Sequence, residues 1–366
     1  MEKVTLKQIA EQAGVSLTTV HRVLNGKGGC SQKVEETILR IAREQGYAIN
    51  MAASTLRKQP LHIALVFPAM HTSGGHYFLN RILHGYLAFR QEVSQVNVVF
   101  QEFYYGQTGT YEYSHQEVDD ILKKIYREQP VHYDGILVYG ITLNARSEAL
   151  INRIVGSGTK GVVLERCPEG LSDVCSTEVN DDIAGNLAGE MMAACIHSSG
   201  TVLVLNQTLP EGDPNGRAFG RSLSIDRPDL TIIQHSLELL VDQSAAISQL
   251  IRKYPDLKGI YATCARHTHS LLRAMETTGI HPQFVIGSEL FEENYHALHN
   301  HALNAIIDKR PEQIGYKALQ LLFGALVRKE DLPTIHRVTP RIILRANSDK
   351  YFIEKENLYG KTRYPE

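Results

Sequence analysis

The stretch from Thr5 to Asn25 leaves its backbone few options. Ile9, Ala10 and Ala13 fall on one face of a short helix, with Thr5 placed to cap it and Gln8, three residues on, placed to complete a capping box. Gly14 follows where the chain must turn, since glycine reaches positive φ without a Cβ penalty. Ser16 then caps a second helix whose inward face is Val20, Val23 and Leu24. Two helices this short, joined this tightly and anchored by small and apolar residues, predict a helix-turn-helix. Its second helix offers its N-terminal part to base edges in a major groove. Leu17, Thr18, His21 and Arg22 lie on the outward side of that helix and are the candidate base contacts, and Thr5, Ser16, Thr19 and Asn25 complete the candidate DNA-contact set. A small helical protein-docking module is the competing reading.

Charge separates these two readings. Residues 1–60 carry nine Lys/Arg against five acids, a net +4, whereas the whole chain is −2, so the other 306 residues are net −6. A basic head on an acidic body is the asymmetry expected when one end meets phosphates. Ser31 caps a third helix running through Val34, Ile38 and Ile41 to Gln45, with Gly46 as its stop. Residues 50–57 form a further short helical stretch, too short to hold alone in water and so dependent on DNA or a second chain. Pro60 marks the entry to a new domain.

From Leu61 onward strand-like and helix-like segments alternate. Continuous apolar runs, the mark of strands covered on both faces, occur at 62–67, 97–103, 135–138, 161–164, 201–205, 231–233, 259–261, 284–286 and 304–307. Amphipathic stretches at 121–128, 183–196, 245–254, 269–277 and 313–327 lie between them. The alternation predicts parallel sheets flanked by helices, and so many strands over about 300 residues fit two lobes better than one sheet. The fold class is α/β, with an all-α helix-turn-helix domain in front. Five scattered cysteines without a CxxC pair suit reduced thiols. A polar N-terminus and the lack of a long apolar run predict neither signal nor anchor, hence a cytoplasmic chain without membrane contact.

Val4-Thr-Leu, Ile9-Ala10, Ala13-Gly-Val-Ser16 and Thr19-Val-His-Arg-Val-Leu-Asn25 together resemble the LacI/GalR family of bacterial transcription regulators. The likeness continues through Gly46-Tyr47 and then Asn50, Ala53 and Leu56, which fall at that family's hinge-helix positions and join the DNA-contact set. Three departures stand out: His21 where serine is usual, Cys30 where valine is usual, and Ile49 where proline is usual. The remainder is similar to the ribose-binding-protein type of periplasmic binding domain. That resemblance implies chain crossovers near 179, 309 and 337. The expected organisation is a head at 1–60 with a hinge helix at 50–57, a first lobe at 61–179 and 310–337, and a second lobe at 180–309 and 338–366. The resemblance also implies a repressor that binds near-palindromic double-stranded operator DNA as a homodimer or tetramer, with a small effector between the lobes.

Effector candidates follow from the same match and from where strands end. Glu165-Arg166 falls where the related domains have Asp-Arg, Asp181 follows Asn180 at their Asp-Asn position, and Arg217 sits three residues before Gly220 at a sugar-binding arginine. Glu289 replaces the usual aspartate, Lys309 a common glutamine, and Cys264-Ala265 an Asn-Asp pair. Ligands of open α/β sheets bind beyond the carboxyl ends of strands, where Glu165, Arg166, Glu289 and Lys309 fall. His76, Tyr77 and Phe78, after the first strand, are candidates for an aromatic wall against sugar C–H groups. Arg166, Arg217 and Lys309 against Glu165 and Glu289 leave one surplus positive charge, which favours a phosphorylated or acidic sugar over a neutral one unless an acid such as Asp181 cancels it. The effector is thus expected to be a sugar or a sugar phosphate.

Other chemistry is weaker. Cys264, His267 and His269 suggest a metal site, but positions 267 and 269 diverge on a helix; His296, His299 and His301 read as surface residues. No GxSxG, P-loop or HExxH is present. Neither cofactor nor catalysis is expected, and a sugar-transport binding protein or a carbohydrate-acting enzyme are the rival readings. The basic head and the missing signal count against the first, and the missing nucleophile or metal constellation against the second.

Overall fold

The computed structural model describes residues 5–24, 30–31, 34–35, 37–38, 40–41, 59–69, 77–94, 96–106, 115–127, 133–207, 213–237 and 243–359. Asn25, Asn50, Ala53, Leu56 and His76 lie outside the described residues, as do the side chains of His21 and Tyr77.

The head begins with α1 (Leu6–Ala13) and α2 (Leu17–Leu24). Thr5 and Gln8 form the reciprocal capping box, with the Thr5 N–H donating to Gln8 Oε1 at 2.7 Å. Gly14 takes φ +64° between the helices, as the turn requires. Ile9, Ala10, Val20 and Val23 close a small core with Ile38 and Ile41, and Cys30 and Val34 pack at its edge.

The body is two six-stranded sheets. β1 (Leu61–Pro68), β2 (Val98–Tyr105), β3 (Gly135–Tyr139), β4 (Lys160–Leu164) and β5 (Val174–Val179) form the first, with β11 (Ile335–Val338) joined late in the chain, in the order β11-β5-β4-β3-β1-β2. All its pairings are parallel. Helices α3 (Tyr77–Glu92) and α11 (Pro311–Phe323) cover one face, α4 (His115–Arg127) and α5 (Ala145–Gly156) the other. The second sheet has the order β12-β10-β9-β8-β6-β7, from β6 (Gly200–Asn206), β7 (Leu230–Ser236), β8 (Leu257–Ala262), β9 (Phe284–Ser288), β10 (Ala305–Asp308) and β12 (Arg341–Ile343). On one face lie α6 (Asp181–Cys195) and α7 (Pro214–Asp226). On the other lie α8 (Ser244–Lys253), α9 (Ala265–Thr278), α10 (Glu292–His299) and α12 (Arg345–Tyr359). β12 runs antiparallel to β10, an edge strand that the expectation of parallel sheets did not include.

The chain changes sheet three times, after Val179, after Asp308 and after Val338, and the three passages are tied together. The Asn180 N–H donates to the Val338 carbonyl at 3.0 Å. Arg341 reaches the fully buried Asp308 carboxylate at 2.9 Å and stacks its guanidinium over Tyr351 at 3.7 Å. Asp181 and Lys309, on either side of the first two passages, form an ion pair at 3.6 Å. β11 extends through Val338, one residue past the boundary expected at 337.

β5 and α7 escaped the sequence patterns for physical reasons. β5 reads Val-Cys-Ser-Thr-Glu-Val, and its buried Ser176 and Thr177 break the apolar run. α7 opens Pro-Asn-Gly, which suggests a loop, yet Pro214 sits at N1 where a missing N–H costs nothing, and Asp213 caps the helix by accepting the Gly216 N–H at 3.1 Å. α6 packs directly on α7, where a Cβ at Gly185 would overlap the Asn215 carbonyl.

Candidate functional site

In the head, Ser16 Oγ accepts the Thr19 N–H at 3.1 Å and so starts α2. Both hydroxyl residues therefore serve the helix terminus itself. Leu17, Thr18 and Arg22 are exposed, Leu17 at 51% of its surface, while Val20 and Val23 are buried. Thr18 and Arg22, four residues apart, share the outward face. An exposed leucine beside a threonine and an arginine offers apolar, hydroxyl and guanidinium groups, the types that can meet base edges and phosphates.

In the body, the carboxyl ends of the two sheets converge on a cluster of charge. Glu165 directly follows β4 and Glu289 directly follows β9, and both adopt the left-handed backbone conformation, at φ +66° and +68°. Non-glycine residues rarely sit there, and such strain gathers at binding sites. Each N–H is held by the neighbouring strand, Glu165 by the Thr177 carbonyl at 2.8 Å and Glu289 by the Ile307 carbonyl at 3.1 Å. The two lobes thus present a carboxylate from equivalent strand ends.

Lys309 is 8% exposed and lies among these acids. Its ammonium pairs with Asp181 at 3.6 Å and its backbone N–H donates to Glu289 Oε2 at 3.2 Å. Burial opposes its charge, but Asp181 and Glu289 outweigh burial and raise the lysine pKa above the usual range. Glu165 behaves oppositely. Burial, then the negative charge of Asp181, lifts its carboxyl to about 8 against the pull of Lys309. Its Oε1 is buried with no hydrogen-bond partner among the described residues.

The wall beside Lys309 consists of residues the sequence reading passed over. Asn215, 2% exposed, accepts from the Tyr261 hydroxyl at 2.9 Å and donates to Asp181 at 3.5 Å. Asn206 donates to Gln234 at 2.9 Å. Tyr261 stacks on Phe219, so one ring joins the apolar core to the polar floor. A signal for Asn206 was available: a lone amide closing the apolar run of β6 marks a strand's carboxyl end, where ligands bind. Asn215 had no such signal, because its helix was not evident.

Other expected residues fall differently. Arg166 and Arg217 are exposed, Arg217 in the first turn of α7. Phe78 lies in the first turn of α3 and packs half-buried against the first lobe's core. His267 is fully buried, whereas His269 turns outward to Glu293 at 2.6 Å. His296, His299 and His301 are exposed, with His299 facing Ser348 and Asp349. Among the described residues no three His, Cys, Asp or Glu side chains are grouped to hold a metal.

The geometry has counterparts among known proteins. Residues 5–50 match the family described as bacterial regulatory proteins, lacI family, and residues 89–330 match the periplasmic binding protein domain. The ribitol operon repressor of Klebsiella aerogenes is 46% identical over 72 residues, 19% of this chain and 27% of the relative. The sucrose operon repressor of Klebsiella pneumoniae is 41% identical over 85 residues, 22% of this chain and 25% of the relative. These matches span about a quarter of each relative's length. The HTH-type transcriptional regulator GntR of Pseudomonas aeruginosa aligns over 70% of both chains at 24% identity. Among solved structures, GanP, a glucose-galactose binding protein from Geobacillus stearothermophilus, superposes with a TM-score of 0.62 at 20% identity, over 79% of this chain and 99% of GanP. A putative LacI transcriptional regulator from Bacteroides fragilis gives 0.66 at 13% identity, over 80% of this chain and all of the other. At such identities the likeness is one of fold. The chain belongs to the periplasmic binding protein domain family and carries in front of that domain the helix-turn-helix head of the lacI family of bacterial regulatory proteins.

Proposed function

We propose that this protein is a sequence-specific transcription repressor whose two-lobed body binds a neutral polyhydroxylated effector, a sugar or sugar alcohol. The single observation that carries the effector class is the charge balance of the cleft floor. Asp181 and Glu289 face one lysine, Lys309, beside a Glu165 carboxyl that burial keeps protonated at neutral pH, while Arg166 and Arg217 are exposed. The surplus of positive charge expected from sequence is therefore absent where a ligand would be desolvated, and a phosphate would meet carboxylates there. Hydroxyl groups suit such a floor, because carboxylates accept from them and Lys309 donates to them. The relatives named for ribitol and sucrose operons fit the same class.

In this reading Leu17, Thr18, His21 and Arg22 read a half-site, and the remaining expected contacts, Thr5, Ser16, Thr19, Asn25, Asn50, Ala53 and Leu56, position the head and hinge. Two chains would meet a near-palindromic operator, with half-site spacing set by the dimer. Effector binding draws Glu165 of one lobe toward Lys309 and Asp181 of the other. It alters DNA affinity only to the extent that it binds the two lobe arrangements unequally. Because the three passages between lobes are bonded to one another, a change at Asp181 or Lys309 is felt at all of them.

The test is selection of bound duplexes from a random-sequence pool, followed by a thermal-shift screen of polyols, aldoses and their phosphates. An enriched near-palindrome and a neutral ligand that raises stability by about 2.7 kcal/mol at 100 times its Kd are expected. Arg22→Ala should lose the selected site while keeping effector binding. No enriched sequence would end the repressor reading, and a preference for sugar phosphates would end the neutral-effector reading.

A further inference from the structure

Beside Lys309, at the carboxyl end of β8, sits a side chain that the proposed function does not use. Cys264 is the N-cap of α9, and its Sγ accepts the His267 N–H at 3.4 Å. N-caps are normally oxygen-bearing residues, and a neutral thiol is a weak acceptor. A thiolate is a strong one, and it lies at the positive end of the helix dipole. The imidazole of His267 is fully buried in the same turn, within electrostatic reach of Cys264, its ring held by Nδ1 against the Leu205 carbonyl at 3.4 Å and its Nε2 without a hydrogen-bond partner among the described residues. Lys309 lies within electrostatic reach from β10, and Arg266 is the neighbouring cation on α9 itself. Burial opposes ionisation of the thiol, but the charge of His267 and its backbone hydrogen bond outweigh it and bring the pKa down to about 6, while the paired charge raises that of His267. Three other cysteines behave in the opposite way: burial raises Cys167, Cys195 and Cys175, the last to about 11.

We propose that Cys264, paired with His267 at the head of α9, is a nucleophilic thiolate that small hydroperoxides oxidise within the cleft. The thiolate attacks one oxygen of hydrogen peroxide, so that an S–O bond forms and the O–O bond breaks. The sulfur is oxidised to sulfenic acid, the peroxide is reduced, and the departing hydroxide takes a proton from the His267 imidazolium and leaves as water. The residue is 4% exposed, which favours a reagent of peroxide size over a bulky disulfide. Oxidation adds an oxygen atom to the cleft wall and removes a negative charge facing Lys309.

The modification can be read without any effector. The full chain is exposed to hydrogen peroxide, trapped with a cyclic 1,3-diketone, and analysed by peptide mass spectrometry. Cys264 should be labelled about tenfold faster than Cys167, Cys175 or Cys195, as thiolate content dictates. Iodoacetamide alkylation of Cys264 should rise with a midpoint near pH 6, against roughly 8.5 for an ordinary thiol. His267→Asn should move that midpoint upward, and a melting curve checks that the variant folds. Labelling of Cys264 no faster than the other three in the native protein, or a midpoint above about 8, overturns the assignment whatever His267→Asn does. The effect on ligand binding rests on the proposed function and is read separately, with ribitol or another polyol found by the screen. If no polyol binds at all, that reading fails while the labelling result stands.

Discussion

Glu165 and Glu289 occupy equivalent places in the two lobes, each one residue beyond a strand of its sheet and each in the left-handed conformation. They differ in what surrounds them. Glu289 is 4% exposed and accepts a backbone N–H from Lys309, within a lobe that also buries Asn206, Asp213, Asn215, His267, Asp308 and Lys309. Glu165 is the chief acid its lobe sends toward the cleft, and its Oε1 is buried without a partner among the described residues. The second lobe therefore has a preformed polar floor, held by its own hydrogen bonds. The first lobe brings a carboxyl that a ligand must complete. Preorganisation on one side and an open valence on the other suit capture by the second lobe followed by closure of the first.

Lys309→Ala is the strongest way to break this comparison. It strands Asp181 and Glu289 and unties two of the passages between lobes. Removing one member of a buried pair costs about 3–5 kcal/mol, and the lower end applies because Asp181 keeps 36% of its side-chain surface in water. Effector binding should fall by more than about a hundredfold, since each 1.4 kcal/mol is tenfold. Denaturant unfolding and calorimetry measure the two losses. A variant as stable as the native protein that still binds ligand would show that the floor is not built on Lys309.

Arg217→Ala asks how much the rim adds. The side chain is exposed in the first turn of α7, and the charged hydrogen bonds it would make to a ligand are worth about 1.5–3 kcal/mol each. Effector affinity should drop about tenfold with folding and operator affinity unchanged. Calorimetry beside a gel-shift titration separates these, and unaltered effector affinity would place Arg217 on an ordinary surface.

The sequence exposed these two classes of residue unequally. The head was readable in detail, because capping box, glycine turn and apolar face are local patterns, and the structure carries all three. The alternation of strands and helices was likewise local, as were the strand ends that place Glu165, Glu289 and Lys309. Asn215 and the Tyr261 hydroxyl were invisible, since their roles depend on a helix that opens with Pro-Asn-Gly packing beside α6. Where the counted charges lie was hidden for a related reason: sequence counts charges, whereas only burial decides that Lys309 is desolvated and the two arginines are not. Cys264 and His267 were legible as types at a spacing of three, but the sequence supplied a metal as the question. The structure answers it with a hydrogen bond between them.

Glu165→Gln is the gentlest probe and the one aimed most directly at the difference between the two glutamates. Burial and Asp181 raise the Glu165 carboxyl from 4.5 to about 8, so at neutral pH the folded protein holds a proton that the unfolded chain has lost. Its contribution to stability is complete below pH 4.5 and disappears as pH rises through about 8. Glutamine is a neutral mimic of the protonated acid without the titration. Effector affinity at pH 7 should therefore change only about two- to threefold, within the ~0.5–1.5 kcal/mol of one neutral hydrogen bond. Melting temperatures measured from pH 5 to pH 9 should decline less in the variant than in the native protein, the difference developing below about pH 8. Parallel curves would mean that Glu165 is ionised in the folded protein, held within the chain as Glu289 Oε2 is held by the Lys309 N–H, and the first lobe would then offer no open valence for a ligand to fill.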